Sequence, residues 1–106
     1  MRRPAIIALV AAPILIASAA LAATAIVQKD KQFSEESITV RSGEKVRFVN
    51  QDTVTHSIVV KDPSGASRPG ITQKPGEESE VEFDQPGNYE VRCLIHPKMK
   101  MSVKVE

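Results

Sequence analysis

The chain has 106 residues, with 14 basic and 13 acidic side chains, a formal net charge of +1, no tryptophan and one tyrosine. A near-neutral surface without stacking aromatics excludes the basic, aromatic-studded face that nucleic-acid binding needs. The length limits the chain to one small core, and a single cysteine excludes an intramolecular disulfide framework.

Met1-Arg2-Arg3 is a positively charged start, and the run from Ala5 to Val27 carries no charge. That run ends in small residues, Ser18-Ala19-Ala20-Leu21-Ala22-Ala23-Thr24-Ala25, with peptidase sites after Ala22 and Ala25. The expected organisation is a signal peptide over residues 1–25 and one domain over 26–106, roughly 80 residues. An uncleaved N-terminal anchor is the alternative, because an uncharged run of this length can span a bilayer. Pro13 in mid-run and the Ala-x-Ala endings favour the signal peptide. Either way the domain is exported, to the periplasm in a bacterial cell. Arg2-Arg3 is followed by Pro4-Ala5-Ile6, which lacks the rest of a twin-arginine motif, and no cysteine lies near the cleavage region to carry a lipid.

Beyond the leader, Lys29 to Phe33 reads as a polar lead-in with a first short strand ending near Phe33. Ser37–Val40 follows as a strand with Ile38 and Val40 on one face, and Ser42-Gly43-Glu44 is a turn. Lys45–Asn50 alternates, Val46 and Phe48 one way and Lys45, Arg47 and Val49 the other. Thr55–Val60 puts His56, Ile58 and Val60 on a common face. Two prolines and two glycines between Asp62 and Gly70 mark a loop, and Ile71–Glu78 reads as irregular. Ser79–Phe83 is a strand with Val81 and Phe83 inward. Asp84-Gln85-Pro86-Gly87-Asn88 is a turn, with proline setting φ and glycine permitting a positive one. Tyr89, Val91 and Cys93 then share an inner face, and the last strand alternates Met101, Val103 and Val105 against Ser102, Lys104 and Glu106. Short strands at regular spacing, with no helical period, predict an all-β sandwich or barrel.

The residues that carry chemistry cluster between the last two strands. Tyr89 to Val105 holds the only cysteine, Cys93, together with His96, Met99 and Met101. An exported protein normally pairs its thiols, so Cys93 is buried and inert, paired between chains, or bound to a metal. Alone, a strand-end cysteine is a small buried hydrophobe, an inward histidine is a satisfied core residue, and a methionine fills a gap. Together with His56 they make one thiolate, two imidazoles and a thioether, the donor set of trigonal copper electron-transfer sites. Cu(I) prefers soft donors and low coordination, Cu(II) nitrogen and tetragonal geometry. A rigid intermediate site therefore rearranges little when an electron moves. The predicted ligands are His56, Cys93, His96 and Met99. Met101 continues the inward alternation of Val103 and Val105 and so belongs to the core, whereas Met99 precedes that register and keeps the Cys93-x-x-His96-x-x-Met99 donors close.

Gly87-Asn88-Tyr89-Glu90-Val91-Arg92-Cys93-Leu94-Ile95-His96-Pro97-Lys98-Met99 resembles the copper loop of the cupredoxins, the type 1 blue copper proteins, most of all the short Cys-x-x-His-Pro-x-Met loop of the amicyanin group. Pseudoazurins and plastocyanins are similar but place the methionine later, at the spacing of Met101. The likeness extends from Ser42-Gly43-Glu44-Lys45-Val46-Arg47-Phe48-Val49-Asn50 through His56. It implies a Greek-key β-sandwich and a periplasmic one-electron carrier, not an enzyme, holding one copper ion as Cu(II)/Cu(I) at His56, Cys93, His96 and Met99. It further implies a redox partner, a dehydrogenase or cytochrome, docking near His96, with the carrier a monomer.

Two positions depart from the family pattern. Ser57 stands where asparagine commonly follows the first histidine, and its hydroxyl is the expected support for the Cys93 region. Lys98 and Lys100 flank Met99 and make the usual apolar docking patch more basic, which calls for an acidic-faced partner and salt-sensitive docking. The alternative function keeps the same ligands for copper capture or delivery. A Cys-His-His zinc hydrolase lacks a clearly placed carboxylate base, and a metal-free structural domain leaves the clustering unexplained.

Overall fold

Period-2 alternation builds this domain, and long-range pairing decides where each strand lies. The structure, a computed structural model, describes residues 24–106. The leader assigned to residues 1–25 lies outside the described residues apart from Thr24 and Ala25. Nine strands are present among the described residues: β1 (Thr24–Lys29), β2 (Gln32–Phe33), β3 (Ser37–Val40), β4 (Glu44–Asn50), β5 (His56–Lys61), β6 (Ile71–Gln73), β7 (Glu78–Phe83), β8 (Gly87–Cys93) and β9 (Lys100–Val105).

They form two mixed sheets, one ordered β2-β1-β4-β7 and the other β3-β9-β8-β5-β6. The arrangement is the Greek-key β-sandwich expected for this pattern. β1 runs parallel to β4, from Thr24 opposite Val46 to Gln28 opposite Asn50, and β3 runs parallel to β9. The remaining ladders are antiparallel. Between the sheets lie Ile26, Val46, Phe48, Val81 and Phe83 from one side, and Val40, Ile58, Val60, Tyr89, Val91, Met101, Val103 and Val105 from the other. Each set is the apolar half of an alternating strand, and its burial is the main stabilising term.

Two segments differ from the sequence reading. The strand expected to end near Phe33 is a hairpin, β1–β2, closed by Asp30 and Lys31 at φ of 52° and 56°. β1 begins at Thr24, inside the uncharged run, and Ile26 and Gln28 are fully buried. Its partner β4 lies about twenty residues on in sequence, and local pattern does not report such a pairing. The Ile71–Glu78 stretch, read as irregular, contains β6, which pairs with the start of β5. Three residues with a buried glutamine at the end carry no alternating apolar signal.

The turn before β8 aims the strand that ends in Cys93. Gly87 has φ of 136°, and a Cβ there would sit 2.7 Å from Pro63 Cγ, so only glycine fits. The Tyr89 hydroxyl donates to the Gln85 carbonyl at 2.8 Å, closing the turn.

Candidate metal centre

Alternation places His56 and Cys93 on the same buried face of adjacent strands. His56 is the first residue of β5 and Cys93 the last of β8, and Cys93 pairs with Ile58, two residues along from His56. Residues two apart on a strand share a face, so both side chains enter the same end of the sandwich, with exposures of 0% and 1%. The connection from Cys93 to β9 then folds back over them. Leu94 N–H donates to Ser57 O (2.9 Å), Met99 N–H to His96 O (2.9 Å) and Cys93 N–H to Met99 O (3.1 Å). These bonds set His96 above the pair, half-buried.

The donor atoms converge. Cys93 Sγ lies 3.5 Å from His56 Nδ1 and 3.6 Å from His96 Nδ1, and the two Nδ1 atoms are 3.2 Å apart. The point equidistant from these three atoms lies about 2.0 Å from each, close to the roughly 2.0–2.1 Å of zinc–imidazole and roughly 2.3 Å of zinc–thiolate bonds. Three lone-pair donors aimed at one point repel each other unless a cation stands between them. One thiolate and two imidazoles suit copper or zinc, and a trigonal set of this type suits copper. No carboxylate belongs to the cluster among the described residues.

Met99 is buried, at 2% exposure, yet stands outside the hydrophobic cluster that contains Met101. Its main chain is bonded to both Cys93 and His96. The sulfur of Cys93 receives the Ser57 main-chain N–H at 3.4 Å. Support for the thiolate therefore comes from the Ser57 backbone, not from the hydroxyl that the sequence pointed to.

Asp52 is the participant that sequence reasoning missed. Its Oδ2 lies 2.9 Å from His56 Nε2. The Lys31 main-chain amide, which donates to the same carboxylate, is the main reason its pKa falls to about 2; the His56 and Thr53 hydrogen bonds lower it further against the opposing effect of burial. An ionised Asp52 keeps the proton of neutral His56 on Nε2 and leaves the Nδ1 lone pair facing the cluster. Asn50, fully buried, braces the same loop. It accepts from Asp52 N–H (2.9 Å) and donates to the Val54 and Gln73 carbonyls (3.0 Å each). The one cue in the sequence was an acidic residue four before the histidine, in a segment with no regular period.

Around His96 the surface is apolar and then basic. Among the described residues, the exposed large hydrophobic ones are Leu94 and Ile95, at 65% and 54%, and Pro97, Lys98 and Lys100 are also exposed.

The family model described as copper binding proteins, plastocyanin/azurin family, matches residues 20–106. Among curated relatives, a plastocyanin of Scenedesmus fuscus is 33% identical over 60% of this chain and 74% of its own length. Amicyanin-alpha of Methylorubrum extorquens is 30% identical over 71% of this chain and 65% of its own length. Among solved structures, amicyanin from Paracoccus versutus superposes with a TM-score of 0.73 at 23% identity, covering 85% of this chain and 87% of that one. A purple cupredoxin from Nitrosopumilus maritimus does so with a TM-score of 0.68 at 22% identity, covering 78% and 99%.

Proposed function

The chain belongs to the plastocyanin/azurin family of copper-binding proteins, and from that premise we propose that it is an exported, periplasmic carrier of single electrons. One copper ion, alternating between Cu(II) and Cu(I), supplies the redox chemistry. His56 and His96 through Nδ1 and Cys93 through Sγ would hold it, with the Met99 thioether as the weaker fourth donor. The observation that carries this reading is the convergence of one sulfur and two imidazole nitrogens on one point, with no carboxylate oxygen in the cluster among the described residues.

The chain's own residues account for the rest of the task. The paired strands β5 and β8 of the five-stranded sheet hold His56 and Cys93, which limits rearrangement between the two oxidation states. The Ser57 amide stabilises negative charge on sulfur. Asp52 fixes the ring of His56. His96 is the one half-exposed member of the cluster and forms the route to the surface. Leu94, Ile95 and Pro97 around it offer an apolar contact for a redox protein, a dehydrogenase or cytochrome. Lys98 and Lys100 favour an acidic-faced one, so that docking weakens as salt rises. A leader cut after Ala22, the peptidase site that leaves β1 whole, directs export, and the carrier works as a monomer.

The deciding experiment is a visible spectrum after one equivalent of Cu(II), followed by a reductant. An intense thiolate-to-copper band that bleaches and returns on reoxidation is the expected result. A weak, ordinary Cu(II) spectrum would remove Cys93 from the ligand set and the electron-carrier reading with it.

A further inference from the structure

The β1–β2 turn is built in an unusual way for its sequence. Asp30 and Lys31 both occupy the left-handed region, at φ of 52° and 56°, and neither is glycine. They are the two central residues of a two-residue hairpin between the paired Lys29 and Gln32, where a type I′ turn requires positive φ at both. The turn so formed reaches the metal centre. Lys31 N–H donates to Asp52 Oδ2 at 2.8 Å, and the same oxygen lies 2.9 Å from His56 Nε2. The hairpin reaches the ligand-bearing segment at two further points. Gln51 N–H donates to Gln28 O at 3.0 Å. The buried Gln28 amide donates to Gln73, the residue paired with His56 across β5 and β6.

We propose that the β1–β2 turn is a positioning element of the metal centre, in which the Lys31 main-chain amide shares Asp52 Oδ2 with His56 and so sets how strongly this ligand donates. The proposal rests on the metal centre assigned above. A carboxylate oxygen that already accepts one N–H is a weaker acceptor for a second. Lys31 thereby limits the pull of Asp52 on the His56 Nε2 proton and keeps the ring an imidazole, short of imidazolate character. An imidazolate is the stronger donor and favours the higher metal charge. Withdrawing the Lys31 amide therefore strengthens the Asp52–His56 bond and shifts the centre toward Cu(II). The left-handed turn is what aims this amide at Asp52, because a right-handed or longer connection turns it away.

Two measurements test this. In the 15N-labelled protein, zinc(II) at Nδ1 acidifies the Nε2 proton of His56 and draws it toward Asp52. The Lys31 amide proton must then move upfield between the metal-free and zinc-loaded states, together with the ring nitrogens of His56 and His96. Shifts at both histidines with an unmoved Lys31 amide overturn the proposal and leave the metal centre standing. No shift at either histidine overturns the metal centre, and the proposal with it. In a second protein, one glycine inserted between Asp30 and Lys31 re-aims the amide. The expected result is a His56 Nε2 resonance shifted toward imidazolate and a threefold gain in Cu(II) over Cu(I) affinity, a potential about 28 mV lower at roughly 59 mV per tenfold. A folded insertion variant with both readings unchanged overturns the proposal. If the insertion variant fails to fold, the zinc experiment on the unaltered chain decides.

Discussion

Glutamine placed at Met99 and at Met101, one at a time, separates a ligand from a core residue where burial does not. Both methionines are 2% exposed, so the loss of apolar burial is the same at either position. Met101 lies in the cluster with Val91, Val103 and the other inward residues. An amide there has no partner and costs about 1–3 kcal/mol on mutational scales, with each kcal/mol worth roughly 4–8 °C of Tm in a domain of this size. The metal is untouched, so the visible band and the potential of Met101→Gln match the unaltered protein. Met99 lies outside the cluster, in the loop bonded to Cys93 and His96. Its replacement exchanges a soft thioether for a hard amide oxygen, which favours Cu(II). Each tenfold change in relative affinity lowers the potential by about 59 mV. Thermal unfolding of the metal-free variants gives the first quantity, and voltammetry with a visible spectrum gives the second. A potential that moves in Met101→Gln and stays in Met99→Gln would refute the assignment and transfer the axial role to Met101.

Three further outcomes follow from the geometry. Gly87→Ala drives a methyl to within 2.7 Å of Pro63 at a φ of 136°; denaturant unfolding should show a loss of about 2 kcal/mol or more, and a midpoint equal to that of the unaltered protein would contradict the close approach. Ser57→Ala should leave potential and copper affinity as they are, because the bond to Cys93 comes from the main chain; a shifted potential would restore a role for the hydroxyl. A domain trimmed to begin at Ile26 loses the pairing of Thr24 and Ala25 with Val46 and Arg47, so it should be less stable than one beginning at Ala23, by about 0.5–1.5 kcal/mol per hydrogen bond lost. Equal midpoints for the two forms would show that the start of β1 contributes nothing.

Much of this protein is legible in one dimension. The inward faces of β4, β5, β7, β8 and β9 follow from alternation in the chain, because a strand repeats every two residues wherever it lies. Val46 and Phe48, Val81 and Phe83, and Met101 with Val103 and Val105 are all buried as that pattern requires. The Cys93–Met99 loop was legible for a similar reason. Its donors are close in sequence, and a short chain segment forces them to be close in space.

What the tertiary structure decided is every relation between distant segments. β1 is a strand because β4 offers it a parallel ladder, and its uncharged sequence serves equally well as the end of a leader. β6 exists because β5 pairs with it, although its own three residues show no period. The support of His56 by Asp52, and of Asp52 by the Lys31 amide, joins a turn, a loop and a strand that share no local pattern. The sequence by itself determined which side chains face inward and which donor types lie in the loop, since both depend on neighbours along the chain. The orientation of His56 and the path of the first strand depend on hydrogen bonds between residues far apart in the chain, and those form only once the two sheets have packed.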